Sequence, residues 1–322
     1  MQEHFHFTTD QAKIQKQYAA IFFFVSAQLS QIQFYLQRRN RHLVKQEDAV
    51  IIAIHLLGKL LGFSSERAWH RFVTGNLFTD GHFLERSRYN RRCRALRFAI
   101  KWIRHELAKR GQHHAYAVVD SMPLELCHTA RMYRVKRFQG IADIGLCASK
   151  KQWYYGFKLH LQVTNQGLPM GYVVTEASCH DRTAAETVMT QIPHLYNLGD
   201  KGFISSELQK KLYEEYQIAF WTPSRKNQKH RPSESWEKWL KQKRKVIETV
   251  FSVLVDQYRI TDIRANSIAG FEVALDGILL AYSLVTLGLV ERSRSTSTTG
   301  CSPIFQLHLS TRSFRHSYCM YL

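Results

Sequence analysis

Near residue 115 the spacing of apolar side chains changes from helical to strand-like, and that change limits the folds open to this chain. Before it, apolar residues recur at helical intervals from Ala20 through Ile32 and Leu36, and again from Val50 to Leu61. Gly62 followed by Ser64 and Ser65, just ahead of Glu66 and Trp69, predicts a helix, a glycine turn and a serine-capped second helix. After the change, residues 115–120 read as a short β-branched strand, and residues 155–163 alternate as a half-buried strand does. Asn165-Gln166-Gly167 marks a turn, and 170–175 reads as the hairpin partner. Helices are expected over 181–192, 205–216, 235–258 and 269–289, with short strands over 194–200 and 218–221. The order is strand, long connection, hairpin, helix, strand, helix, strand, helix. It predicts an α/β fold, a mixed sheet with helices on its faces, preceded by an all-α segment.

Three regions follow: a helical, basic N-terminal domain over 1–112, a sheet-containing domain over 113–290, and a low-complexity polar tail over 291–322 expected to be disordered and dispensable. The formal net charge of +19 is distributed unevenly. Residues 1–112 hold 19 basic against 8 acidic side chains, 113–222 hold 11 against 10, and 223–265 hold 11 against 5. A nearly neutral block between two basic ones implies a polyanionic partner, nucleic acid or an acidic membrane surface, rather than solubility alone. The helix–turn–helix pattern around Gly62 and the arginine-rich run that includes Arg88, Arg91 and Arg92 suit phosphate contact. A basic insertion is expected over about 222–240.

Other classes are disfavoured. The most apolar stretch, 277–290, is shorter than the ~20 residues a bilayer requires, and the N-terminus lacks a signal-peptide pattern. Six cysteines form no CxxC pair, so neither a zinc site nor a disulfide framework is indicated, and a reducing cytoplasm is expected. No HxxxH or HExxH pair appears among the histidines.

Asp120 and Asp200 each end a predicted apolar strand and are each followed by a small or flexible residue. On neighbouring strands they would emerge at one sheet edge and could share divalent metal ions, which clamp the attacking and leaving oxygens of a phosphodiester. Mg²⁺ needs hard oxygen ligands and keeps several waters, so two or three carboxylates suffice. Glu248 lies one helical turn after Arg244 on the same face; by pattern alone this is an ordinary surface ion pair.

Four blocks, Ala117-Val118-Val119-Asp120-Ser121, Tyr155-Gly156-Phe157-Lys158-Leu159-His160, Leu198-Gly199-Asp200-Lys201-Gly202-Phe203 and Arg244-Lys245-Val246-Ile247-Glu248-Thr249-Val250-Phe251-Ser252, resemble in order and spacing those of DDE-type bacterial insertion-sequence transposases. The family numbered 982 is the nearest match, and the resemblance covers about residues 5–290. It implies an RNase H-like catalytic fold, a DNA partner, two Mg²⁺ ions (Mn²⁺ substituting) held by a catalytic triad on Asp120, Asp200 and Glu248, and Arg244 contacting DNA backbone. It also implies at least a homodimer in the bacterial cytoplasm. Two positions depart from the related Tyr-Arg-Glu-Lys signature: Lys241 stands where the tyrosine falls and Val255 where the lysine falls. The alternatives are a nuclease without strand transfer and a catalytically inactive DNA-binding remnant.

Lys158, His160 and Lys201 are further candidates, the lysines for DNA contact. Asp181 reads as a helix N-cap rather than a metal ligand. Asp143, Glu125 and Glu176 lack a comparable context. Trp221, Trp236 and Trp239, beside the basic segment, suit either base stacking or core packing.

Overall fold

The computed structural model describes residues 7–36, 44–147, 151–224 and 232–292. The polar tail beyond Arg292 and most of the basic stretch after Thr222 lie outside the described residues.

Five helices come first: α1 (Phe7–Gln31), α2 (Asp48–Leu60), α3 (Glu66–Asn76), α4 (Arg86–Ala95) and α5 (Arg97–Ala108). The turn between α2 and α3 follows the sequence signals. Gly62 has φ +76°, a conformation other residues adopt only with strain, and the Ser65 hydroxyl caps α3 by accepting the Ala68 N–H. Gly58 lets the two helices close, because a Cβ there would lie 2.8 Å from the Trp69 indole.

Six strands follow: β1 (Ala117–Glu125), β2 (Asp143–Cys147), β3 (Gln152–Thr164), β4 (Pro169–Glu176), β5 (Tyr196–Leu198) and β6 (Ala219–Trp221). Between and after them lie α6 (Asp181–Gln191), α7 (Ser206–Tyr216), α8 (Glu234–Asp256) and α9 (Ile268–Thr286). The sheet order is β2-β3-β1-β5-β6, with β4 also paired to β3. β1, β2 and β4 run antiparallel to β3, whereas β5 runs parallel to both β1 and β6. The sheet is therefore mixed, and helices flank it. β2 falls inside what reads in the sequence as a long connection. Its five residues include Gly145 and an exposed Leu146, too short and too weakly alternating to announce a strand. β1 also runs five residues beyond the predicted end at Asp120, because β3 pairs with it as far as Glu125.

Burial on β1 assigns its faces. Val118 packs into the main core with Leu159, Leu161, Ile247, Val250 and Leu254, on the α8 side. Val119 packs into a second core with Ala185, Val188, Met189 and Leu212, on the α6–α7 side. With a side-chain period of two, Asp120 belongs to the α8 side and Ser121 to the α6 side.

The main core is continuous from α1 through α5 to the sheet and α9. α9 is long and apolar enough, by length and composition, to cross a membrane, and is longer than the stretch singled out in the sequence; 72% of its apolar window is nonetheless buried inside the protein. It is a core helix. Its Asp276 is buried and takes the Arg104 Nε at 2.8 Å and the Tyr172 hydroxyl at 2.9 Å, while the Arg104 Nη1 donates to the Met170 carbonyl at 2.9 Å. This cluster joins α5, α9 and β4.

Candidate active site

Asp120 and Asp200 are brought level by strand pairing. In the parallel ladder Ala117 faces Asn197 and Val118 faces Leu198, so two residues further on the same register sets Asp120 beside Asp200. The turn that carries Asp200 is anchored on both sides. A Cβ at Gly199 would sit 2.5 Å from the Phe220 ring, so glycine alone lets the chain pass, and Phe203 is fully buried below the turn.

Arg244, from α8, spans the two carboxylates. Its Nη1 donates to Asp200 Oδ1 at 2.8 Å, and its Nη2 lies 3.6 Å from Asp120 Oδ2. Its Nε is buried with no hydrogen-bond partner. Burial raises the Asp120 carboxyl to about 6; the Ser121 backbone N–H and Arg244 pull it down, and Asp200 and Asp181 push it up again. The site holds more negative charge than one guanidinium offsets.

Glu248 sits one turn beyond Arg244 on α8 and is exposed. Among the described residues no three His, Cys, Asp or Glu side chains lie close enough to hold a metal ion together. The structure joins Asp120, Asp200 and Arg244. Asp120 and Asp200 alone still fit the chemistry of a hard divalent cation, which one or two carboxylates can hold when phosphate oxygens and waters complete the shell.

The α6 side of the same part of β1 holds a second polar group. The Ser121 hydroxyl donates to Asp181 Oδ1 at 2.8 Å; Lys158 Nζ lies 3.4 Å and His160 Nδ1 3.7 Å from that oxygen. Lys158 also donates to the Cys179 carbonyl at 2.6 Å. His160 is fully buried, its Nε2 against the Thr175 hydroxyl at 2.9 Å, and burial lowers its basicity. His180, not Asp181, occupies the N-cap of α6. The Asp181 carboxylate turns to the sheet instead. This role was not read from the sequence, where only the Asp120-Ser121 neighbourhood could have hinted at it.

The basic candidates separate by exposure. Arg88, Arg91 and Lys201 are exposed. Arg92 is turned inward, its guanidinium paired in a fork with Asp48, and Lys158 is committed to Asp181 and Cys179. Asp143 accepts the Ser178 backbone N–H at 3.0 Å and the Ser178 hydroxyl. The three tryptophans pack on one another, Trp236 against Trp239 at 4.8 Å and against Trp221 at 5.6 Å, with Tyr196 stacked on Trp221.

Two carboxylates set level, one on β1 and one in the turn after β5, thus share one cationic side chain. Residues 110–268 match the family described as the transposase DDE domain, a span that includes Asp120, Asp181, Asp200, Arg244 and Glu248. The match supports a DDE-type transposase; such a domain suggests an enzyme of the nucleotidyl-transferase and nuclease kind and implies DNA as the partner. No curated protein and no solved structure matches the chain.

Proposed function

We propose that this protein is an insertion-sequence transposase of the family numbered 982, which binds the terminal inverted repeats of its element, cleaves a phosphodiester there and joins the freed 3′ end to target DNA. The observation that carries the proposal is the shared engagement of Asp120 and Asp200 by Arg244. The β4-β3-β1-β5-β6 pairing, antiparallel on one side of β1 and parallel on the other, supports an RNase H-like reading of the sheet.

In this reading Asp120 and Asp200 hold Mg²⁺ or Mn²⁺, two ions in the working complex, and Glu248 is the third carboxylate. The cations supply charge neutralisation at the scissile phosphate and activation of the attacking oxygen. The chain's own residues do the rest. Rigid strand pairing holds both carboxylates level. Arg244 offsets their repulsion and, as the resemblance implies, contacts DNA backbone. Lys201, beside Asp200, and Arg88 and Arg91 on α4 contact DNA backbone, and α2–turn–α3 serves as the helix-turn-helix. An element has two ends, so the working form is at least a homodimer, acting in the bacterial cytoplasm.

The test is cleavage of DNA carrying the element's ends by purified protein with Mg²⁺ or Mn²⁺. Cutting that is lost with EDTA and in Asp120→Ala is the expected result. Equal behaviour of wild type and Asp120→Ala rejects the reading. Pre-cleaved ends that are never joined to a target would reduce the function to hydrolysis.

A further inference from the structure

We infer that Asp181 is a positioning residue for the Asp120–Asp200 pair, fixing the two carboxylates from the α6 side of the sheet while itself staying outside the cation's ligand set. The inference rests on the metal-binding reading of that pair.

Asp181 lies against both segments that carry the pair, β1 and the turn after β5. Its Oδ1 accepts the hydroxyl of Ser121, the residue directly after Asp120, at 2.8 Å. Its Oδ2 rests against the turn after Asp200, where a Cβ on Gly202 would lie 3.1 Å from it. One carboxylate therefore bears on Asp120 through Ser121 and on Asp200 through Gly202. Asp181 is itself held. Lys158 Nζ pairs with it at 3.4 Å and binds the Cys179 carbonyl two residues earlier, which ties the start of α6 to β3. The buried His160 Nδ1, without a hydrogen-bond partner, faces the same oxygen at 3.7 Å. Ser121 and His160 are directly paired across β1 and β3, so the group is mounted on the centre of the sheet.

A simple helix cap would not be built this way. The N-cap position belongs to His180, which makes no side-chain cap bond. The carboxylate of Asp181 is spent on strand and turn instead. Residues that hold ligands from behind, without touching the ion, change metal affinity by about 10–100-fold when removed.

The experiment is Mn²⁺ titration of the full chain, by calorimetry or by the loss of the free-ion EPR signal, for wild type, Asp120→Ala, Asp181→Ala, Asp181→Asn and Ser121→Ala. Expected is a loss of Mn²⁺ affinity of about 10-fold or more in Asp181→Ala and a smaller loss in Ser121→Ala. End-DNA affinity in EDTA should stay within about twofold, and cleavage by Asp181→Asn should recover as Mn²⁺ is raised. Unchanged Mn²⁺ affinity in Asp181→Ala and Ser121→Ala, alongside its loss in Asp120→Ala, overturns the inference. So does a parallel fall in thermal stability and DNA affinity, which would mark Asp181 as general scaffolding. If Asp181→Ala does not fold, Ser121→Ala and Asp181→Asn decide by the same criteria. Wild type and Asp120→Ala binding Mn²⁺ equally would defeat the metal reading itself, a separate outcome.

Discussion

Two arginines in this molecule each meet buried or half-buried carboxylates, and they are finished to different degrees. Arg104 is closed. Its guanidinium is 2% exposed, its partner Asp276 is 3% exposed, the Tyr172 ring covers it at 4.7 Å, and Asp276 takes a second donor from the Tyr172 hydroxyl. Arg244 is open. It faces two aspartates instead of one, Asp200 is 50% exposed, its Nε has no partner, and Asp120 is held near a pKa of 6. A buried ion pair is tolerable when every donor and acceptor is matched. The first cluster, with no buried polar atom left without a partner, comes closer to that condition and reads as a fastening within the fold. The second does not, and its surplus of negative charge calls for another cation.

The comparison breaks most visibly in activity. Asp200→Ala should lower end cleavage by ~10³-fold or more, since in the proposed reading it removes a metal ligand, whose loss exceeds the ~10–100-fold that outer residues give. Asp276→Ala should instead leave a purified folded fraction with its Mn²⁺ site intact and cost ~3–4 kcal/mol in urea unfolding, the penalty for stranding a buried charge. A fall in Mn²⁺ affinity as large as that in Asp200→Ala would merge the two clusters into one. The next effect depends on pH. The Asp120 carboxyl is raised from its ordinary 3.8 to about 6, so the folded state keeps its proton longer than the unfolded chain. Without metal, stability therefore falls as pH rises from about 4 to about 6, and the cost is fully present above that. Asp120→Asn should raise stability in EDTA by up to ~3 kcal/mol at pH 8 and by nothing near pH 3.5. Equal gains at both would show that the carboxyl is not strained. In the same window Mn²⁺ binding by wild type should weaken as pH drops through 6. Smallest is Gly58→Ala, ~1–2 kcal/mol by thermal melting, from pressing a methyl against Trp69; Asp200 cleavage chemistry should persist in the folded fraction.

What was legible in the sequence follows from how local each signal is. Gly62 and Ser65 announce the α2–α3 turn because turn and cap chemistry act within a few residues. β1, β3, β4 and α6 to α9 were readable from period and apolar length. β2 was not, since its pairing with the first half of β3 is imposed from outside its own residues. The site divides in the same way. Asp120 and Asp200 stand out as carboxylates ending apolar runs, and the parallel register that sets them level is a sheet property. Asp181 reads in the sequence as a cap because a carboxylate at a helix start usually is one. That His180 takes the cap and Ser121 takes Asp181 depends on tertiary approach. Arg92 looked like one more free arginine until Asp48, 44 residues away, met it.

The burial of α9 carries a consequence for how the protein comes into being. Because α2 and α5 complete their apolar surface against this helix near the end of the described chain, the first hundred residues cannot finish their own core while the ribosome is still making the sheet. A nascent or prematurely ended chain lacking α9 would expose those apolar flanks. In the proposed reading, holding DNA and cutting it would become available together, once α9 has left the ribosome.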